Sequence, residues 1–182
     1  MNEQETERRL RIELLDCPLA MTPEENRMNF RIMGLSPEPF RPLYGLTDEE
    51  LTRRGARRYV ADTKPGFPDR IEMRDAEPGE PLILVNYQHQ SADTPYRASH
   101  AVFVREGAQQ RYDACNEIPE VLARRTISLR AFDVDHWMVG GELHEGRQLE
   151  AGIRKLLSQP EVAYLQAHYA GRGCYAARIE RA

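Results

Sequence analysis

The chain has 182 residues, of which 41% are hydrophobic and 30% charged, a composition that predicts a packed core and excludes a disordered chain. One domain of that length can bury roughly 70% of its unfolded surface without a disulfide or metal staple. Lys plus Arg number 25 against 29 for Asp plus Glu, giving a net charge of -4. No broad electropositive surface for a phosphate backbone is expected, so nucleic acid is not an expected partner. Only Lys64 and Lys155 are lysines, a skew that codon composition explains without phosphate recognition. Cys17, Cys115 and Cys174 are odd in number and widely spaced. That pattern suits neither a disulfide framework nor a zinc site. No apolar run approaches 18 residues and no basic start precedes one, so neither membrane insertion nor export is signalled and the cytoplasm is the expected compartment.

Residues 1–27 are dense in charge, with Leu10, Leu14 and a Glu7/Arg11 pair at helical spacing. They predict a short helix from Glu5 to Asp16 in an appended segment, with the domain proper starting at Met28. Phe30 to Met33 reads as the opening strand. Pro37, Pro39 and Pro42 then make an extended connector. Thr47 with Glu50 has capping-box spacing and Gly55 supplies a left-handed stop, so a helix lies between them.

Tyr59 to Asp62, Arg70 to Arg74, Leu82 to Gln88 and Ala101 to Arg105 read as strands, and Asp75-Ala-Glu-Pro-Gly-Glu80 as the turn of a hairpin joining its two neighbours. Further strands are expected at Ile127 to Asp133, Trp137 to Leu143, Val162 to His168 and Tyr175 to Ile179. Helices are expected at Pro119 to Arg125 and at Arg147 to Leu157, where Leu149, Ile153, Leu156 and Leu157 share one face. Antiparallel strands with helices interspersed irregularly predict a single α+β domain over 28–182.

Two constellations carry functional promise. Asn86 to His100 is expected to be one long loop that gathers Asn86, His89, Asp93, Tyr96, Arg97, Ser99 and His100 at one end of the sheet as a ligand site. Arg97 beside hydroxyl groups suits a small anion. The structural reading gives it an ion pair with Asp93 instead, and Asp93, Thr94 and Ser99 turn-capping roles. His89, Asp93 and His100 match no metal spacing, and no metal or cofactor is expected.

The second constellation is His168-Tyr-Ala-Gly-Arg-Gly-Cys174, a candidate base and nucleophile in a hairpin. If Tyr169 opposes Gly173, His168 and Cys174 share a face, whereas if Tyr169 opposes Cys174 they do not. An inert buried cysteine is the structural alternative. Asp133, Asp135 and His136 read as turn formers, and Glu142, His144 and Glu145 as a strand edge. No Walker, G-x-G-x-x-G, G-x-S-x-G or H-E-x-x-H motif occurs. The expected function is therefore a small-anion site, enzymatic if Cys174 and His168 act together. The alternative is a non-catalytic binding or protein-interaction module.

The strings Phe30-Arg-Ile-Met-Gly-Leu35, Asp75-Ala-Glu-Pro-Gly-Glu80, Asn86-Tyr-Gln-His-Gln90, Pro95-Tyr-Arg-Ala-Ser99 and Gly173-Cys-Tyr-Ala-Ala-Arg178 together resemble a bacterial family known as domain of unknown function 1203. The resemblance runs from about Met28 to Ala182 and supports the boundary at Met28. It implies no activity. In that family a cysteine often stands where this chain has Asp69, so no shared role is carried to that position.

Overall fold

A computed structural model describes residues 28–182, so the expected helix at Glu5 to Asp16 and the appended segment lie outside the described residues. Strand β1 is Phe30–Met33, as its sequence predicts. The proline-rich connector is not wholly extended: Pro42 sits in the first turn of a short 3-10 helix, Arg41–Leu43, where its fixed φ suits a helix start. Helix α1 is Asp48–Arg53. Its start is the capping box read from sequence, with the Thr47 hydroxyl accepting from the Glu50 backbone N–H and the Glu50 carboxylate accepting from the Thr47 N–H. Gly55 ends it at φ +70°, a conformation that costs a residue with a Cβ extra energy.

Strands β2 (Arg57–Val60), β3 (Pro81–Gln90) and β4 (Ala98–Arg105) form a three-stranded antiparallel sheet in sequence order. Two expectations are corrected here. The stretch from Arg70 to Arg74 is not a strand, and the 75–80 turn does not close a hairpin with it. β3 pairs with β2 and β4 instead. The physical reason is Asp69, whose buried carboxylate accepts the N–H groups of Ile71, Glu72 and Arg105 at 3.2, 2.6 and 2.8 Å. Those donors are taken from any strand ladder. Asn86 to His100 is likewise not a long loop but a hairpin in which only residues 91–97 are outside strands.

The larger sheet contains β1, β5 (Asp113–Cys115), β6 (Thr126–Phe132), β7 (Met138–Glu145), β8 (Tyr164–Tyr169) and β9 (Tyr175–Arg181) in the order β5-β1-β9-β8-β6-β7. Every pairing is antiparallel. Helix α2 is Glu120–Ala123 and helix α3 is Leu149–Leu157. The four apolar residues expected on one face of α3 are all buried, packed with Leu129, Leu165 and Ile179 of the large sheet. At about 1.5–3 kcal/mol for each fully buried side chain, that face is a main source of stability. The opposite face of the large sheet carries Tyr175, which packs with Ile83, Val102 and Val104 of the small sheet. The architecture is a sheet-rich, antiparallel α+β domain with α3 on one side of the large sheet and the small sheet on the other.

Candidate functional site

The hairpin β8–β9 decides which side chains meet. Its turn closes with Gly173 N–H donating to Tyr169 O at 2.8 Å and Tyr169 N–H donating to Cys174 O at 3.0 Å. His168 consequently pairs with Tyr175. Of the two registers open to the sequence, this is the one in which Tyr169 opposes Cys174. Neighbouring residues on a strand alternate faces, so His168 and Cys174 point to opposite sides of the sheet. The expected base and nucleophile are separated by the sheet itself.

Tyr169 and Cys174 line a cavity of about 710 Å³ between β4, the 66–70 segment and the β8–β9 turn. Arg70 reaches into this space from a backbone held by its own N–H to Phe103 O at 3.1 Å. Its Nε donates to Tyr175 O at 3.1 Å and its Nη1 to Pro68 O. The residue is 2% exposed, yet among the described residues no carboxylate pairs with it. The guanidinium lies 4.8 Å from the Tyr169 ring centroid and that of Arg125 lies 5.4 Å from it. Arg125, in contrast, is fully matched: it grips both oxygens of buried Asp75 at 2.9 and 2.6 Å.

The Tyr169 hydroxyl is buried and, among the described residues, has no hydrogen-bond partner. Burial pushes its pKa up to about 12, against the opposing pull of the two guanidiniums. The group is therefore a protonated donor at neutral pH. Aromatic side chains of Tyr59, Phe67 and Phe103 form another wall, and Arg172 and His100 also line the cavity.

Of the seven residues expected to converge from 86–100, only His100 reaches this cavity. The remaining six are spread out: Asn86, His89 and Ser99 sit on strands that space residues about 3.3 Å apart with alternating faces, and Asp93, Tyr96 and Arg97 lie in the 91–97 turn. Asp93 and Arg97 form an ion pair at 3.1 Å within the turn, as the structural reading has it. Tyr96 packs edge-on against Phe132 and Trp137. Ser99 faces solvent opposite Gln88. Asn86 lines a separate concavity with Asp48, Arg57 and Arg58, where Arg58 is already held by Asp48 and Glu106.

His89 turns inward between the sheets. Its Nδ1 lies 2.9 Å from Gln166 Oε1, Gln166 Nε2 donates to His89 O at 3.2 Å, and its ring stacks on Tyr175 at 5.1 Å. His168 joins the same cluster, with Nδ1 donating to Gly173 O at 3.0 Å and Nε2 3.3 Å from Gln166 Oε1. Burial, reinforced by the Arg130 charge, lowers its pKa to about 3. Burial also lowers that of His89. Both histidines act here as neutral polar members of the inter-sheet core. Among the described residues, no group of three His, Cys, Asp or Glu side chains is gathered with metal-binding geometry.

Arg70, Arg125 and Tyr169 are the cavity residues that sequence reasoning does not single out. Arg70 and Tyr175, which are hydrogen-bonded, stand 105 positions apart, so no local pattern announces them. Tyr169 had a signal: the register that opposes it to Cys174 puts the two on one face.

Fold and cavity together define a two-sheet antiparallel α+β protein with an arginine- and tyrosine-lined pocket beside a free cysteine. The chain belongs to the family described as protein of unknown function (DUF1203), whose match covers residues 66–181. That span holds Phe67, Arg70, Phe103, Arg125, Tyr169 and Cys174. It leaves out Tyr59 and the proposed boundary at Met28. No curated protein and no solved structure matches the chain.

Proposed function

We propose that the protein binds a small organic anion in the cavity lined by Arg70, Tyr169 and Cys174. The observation that carries this reading is Arg70, a guanidinium buried to 2% exposure with two carbonyl partners but no carboxylate among the described residues. An uncompensated buried charge costs several kcal/mol, and an anionic ligand compensates it. A carboxylate or phosphate fits the planar fork of a guanidinium, and the Tyr169 hydroxyl is a donor in need of an acceptor. Cys174 places a thiol beside the bound anion, which opens an enzymatic use of the site without His168.

The same reading puts the protein in the cytosol, where Cys115 and Cys174 remain thiols. It expects neither nucleic acid nor membrane as partner. Among the described residues no helix is long and apolar enough to cross a membrane.

Thermal melts with acetate or phosphate, against chloride at equal ionic strength, test the proposal. At a hundred times Kd a specific anion adds about 2.7 kcal/mol, or roughly 5–10 °C for a chain of this size. Arg70→Met abolishes the shift, and Tyr169→Phe weakens binding by roughly two- to tenfold, the share of one neutral hydrogen bond. A wild-type protein indifferent to both anions would refute the proposal.

A second reading, a non-catalytic interaction module, is favoured by the exposed apolar residues on and beside edge strand β7: Val134, Trp137, Val139 and Leu143, from 43% to 78% exposed. Such a module shows no anion-dependent melting shift, so the same titration separates the two.

A further inference from the structure

Resting on the anion-site reading, we infer that the ligand is a monoanionic carboxylate with a ring-sized apolar body, its carboxylate against Arg70 and Tyr169 and its body against Tyr59, Phe67 and Phe103.

The charge of the ligand follows from a local count. Around the Tyr169 ring stand two guanidiniums, Arg70 and Arg125, and one carboxylate, Asp75. Arg125 and Asp75 satisfy each other in a bidentate pair, which leaves one positive charge buried and unmatched. A single negative charge neutralises it. A dianion would bring a second charge that exposed, solvated Arg172 and the imidazole of His100 are left to meet.

The size and surface of the cavity supply the rest. About 710 Å³ lies within the ~300–1,000 Å³ range of small-molecule sites and far exceeds what an inorganic ion fills. Phe103 stands edge-on to Tyr59 at 5.3 Å and to Phe67 at 5.4 Å, and all three rings are only half-buried. They form an apolar wall of the cavity: Phe67 and Phe103 pack against Ala61, Ala76 and Leu82, and the Arg57 guanidinium lies 5.2 Å from the Tyr59 ring centroid. Head and wall are also adjacent. The Arg70 N–H donates to the Phe103 carbonyl at 3.1 Å, and Phe67 precedes Arg70 by three residues. Both line one cavity, so a single small molecule can touch head and wall together. Burying the ring against such a wall adds affinity in proportion to the apolar area removed from water.

Calorimetric titrations with acetate, phenylacetate, phenylacetamide and phenyl phosphate at pH 8 test each component. Phenylacetate binds at least tenfold tighter than acetate, and at least tenfold tighter than its neutral amide. Phenyl phosphate binds no tighter than phenylacetate. Phe103→Leu reduces phenylacetate affinity about three- to tenfold and leaves acetate within twofold. If that variant does not fold, Tyr59→Leu, at the half-exposed end of the wall, gives the same comparison. Equal affinity for acetate and phenylacetate, with both lost in Arg70→Met, overturns the apolar body while the anion site stands. Amide as tight as carboxylate overturns the anion site itself. Phenyl phosphate tighter than phenylacetate overturns the monoanion.

Discussion

Two clusters of titratable side chains lie on opposite faces of the same hairpin, β8–β9, and they differ in what they leave unfinished. On one face Gln166 lies within 3.3 Å of both His89 and His168, with His168 donating its N–H to Gly173 O and Gln166 donating to His89 O. On the other, Arg70 lacks an anion and the Tyr169 hydroxyl lacks an acceptor among the described residues. Density of polar residues is common to both. What distinguishes a candidate site from a polar core is the unsatisfied remainder, since folding alone disfavours leaving it.

The contrast between Arg70 and Arg125 gives the sharpest way to break that comparison. Arg125→Met strands the Asp75 carboxylate, which is 5% exposed, and is expected to cost about 3–5 kcal/mol by urea denaturation. Arg70→Met removes a charge that has no protein counter-ion and leaves two carbonyls short of a donor. Its expected cost without ligand is about 1–3 kcal/mol. Equal losses in the two variants would show that Arg70 is already compensated, and the distinction between the faces would collapse.

Much of the fold is legible in sequence because its signals are local. The Thr47/Glu50 box, the Gly55 stop and the apolar face of α3 each depend on residues within two turns of one another, and each is found where expected. Strand β5 is missed because three residues, Asp113-Ala-Cys115, show no periodicity. The 70–74 strand fails because Asp69 competes for its donors from two residues away. The hairpin at 86–100 hides behind polar residues that in fact alternate, with Asn86 and Gln88 facing solvent and His89 turned into the core. The site is least legible of all. Cys174 is visible as a residue type, but its neighbours are set by register and by contacts across a hundred positions, which no local pattern encodes.

The satisfied face makes its own prediction, in pH. His168 is neutral when folded, with a pKa near 3, against an unfolded value of about 6.5. The unfolded chain thus binds the extra proton between those values, so stability is full above about pH 6.5 and falls as pH drops toward 3. From pH 7 to pH 5 the loss attributable to this one group is about 2 kcal/mol. His168→Gln should flatten the curve by that amount over the same interval, measured as the difference between urea-derived stabilities at the two pH values. A variant with the wild-type slope would mean that His168 is charged in the folded protein, and the cluster would no longer count as satisfied by neutral groups.

The smallest expected effect probes the unsatisfied face through its thiol. Cys174 lines the cavity beside Tyr169, and iodoacetate and iodoacetamide deliver the same one-carbon modification to it, one as a monoanion and the other as a neutral amide. A free thiol in solution fixes the intrinsic rate ratio of the two reagents. If the cavity gathers monoanions against Arg70, the iodoacetate-to-iodoacetamide ratio at Cys174 exceeds that reference by about three- to tenfold, the scale of a single charge contact of ~0.7–1.4 kcal/mol. The ratio, unlike an absolute rate, is independent of thiolate fraction and of access, because both reagents meet the same sulfur through the same opening. Arg70→Met should return the ratio to the reference while Cys174 still reacts, and saturating phenylacetate should slow both reagents alike. Peptide mapping by mass spectrometry separates Cys174 from exposed Cys115. A ratio at the reference value in the wild type would show that Arg70 exerts no pull on an anion inside the cavity, and the two faces of the hairpin would then differ in geometry alone.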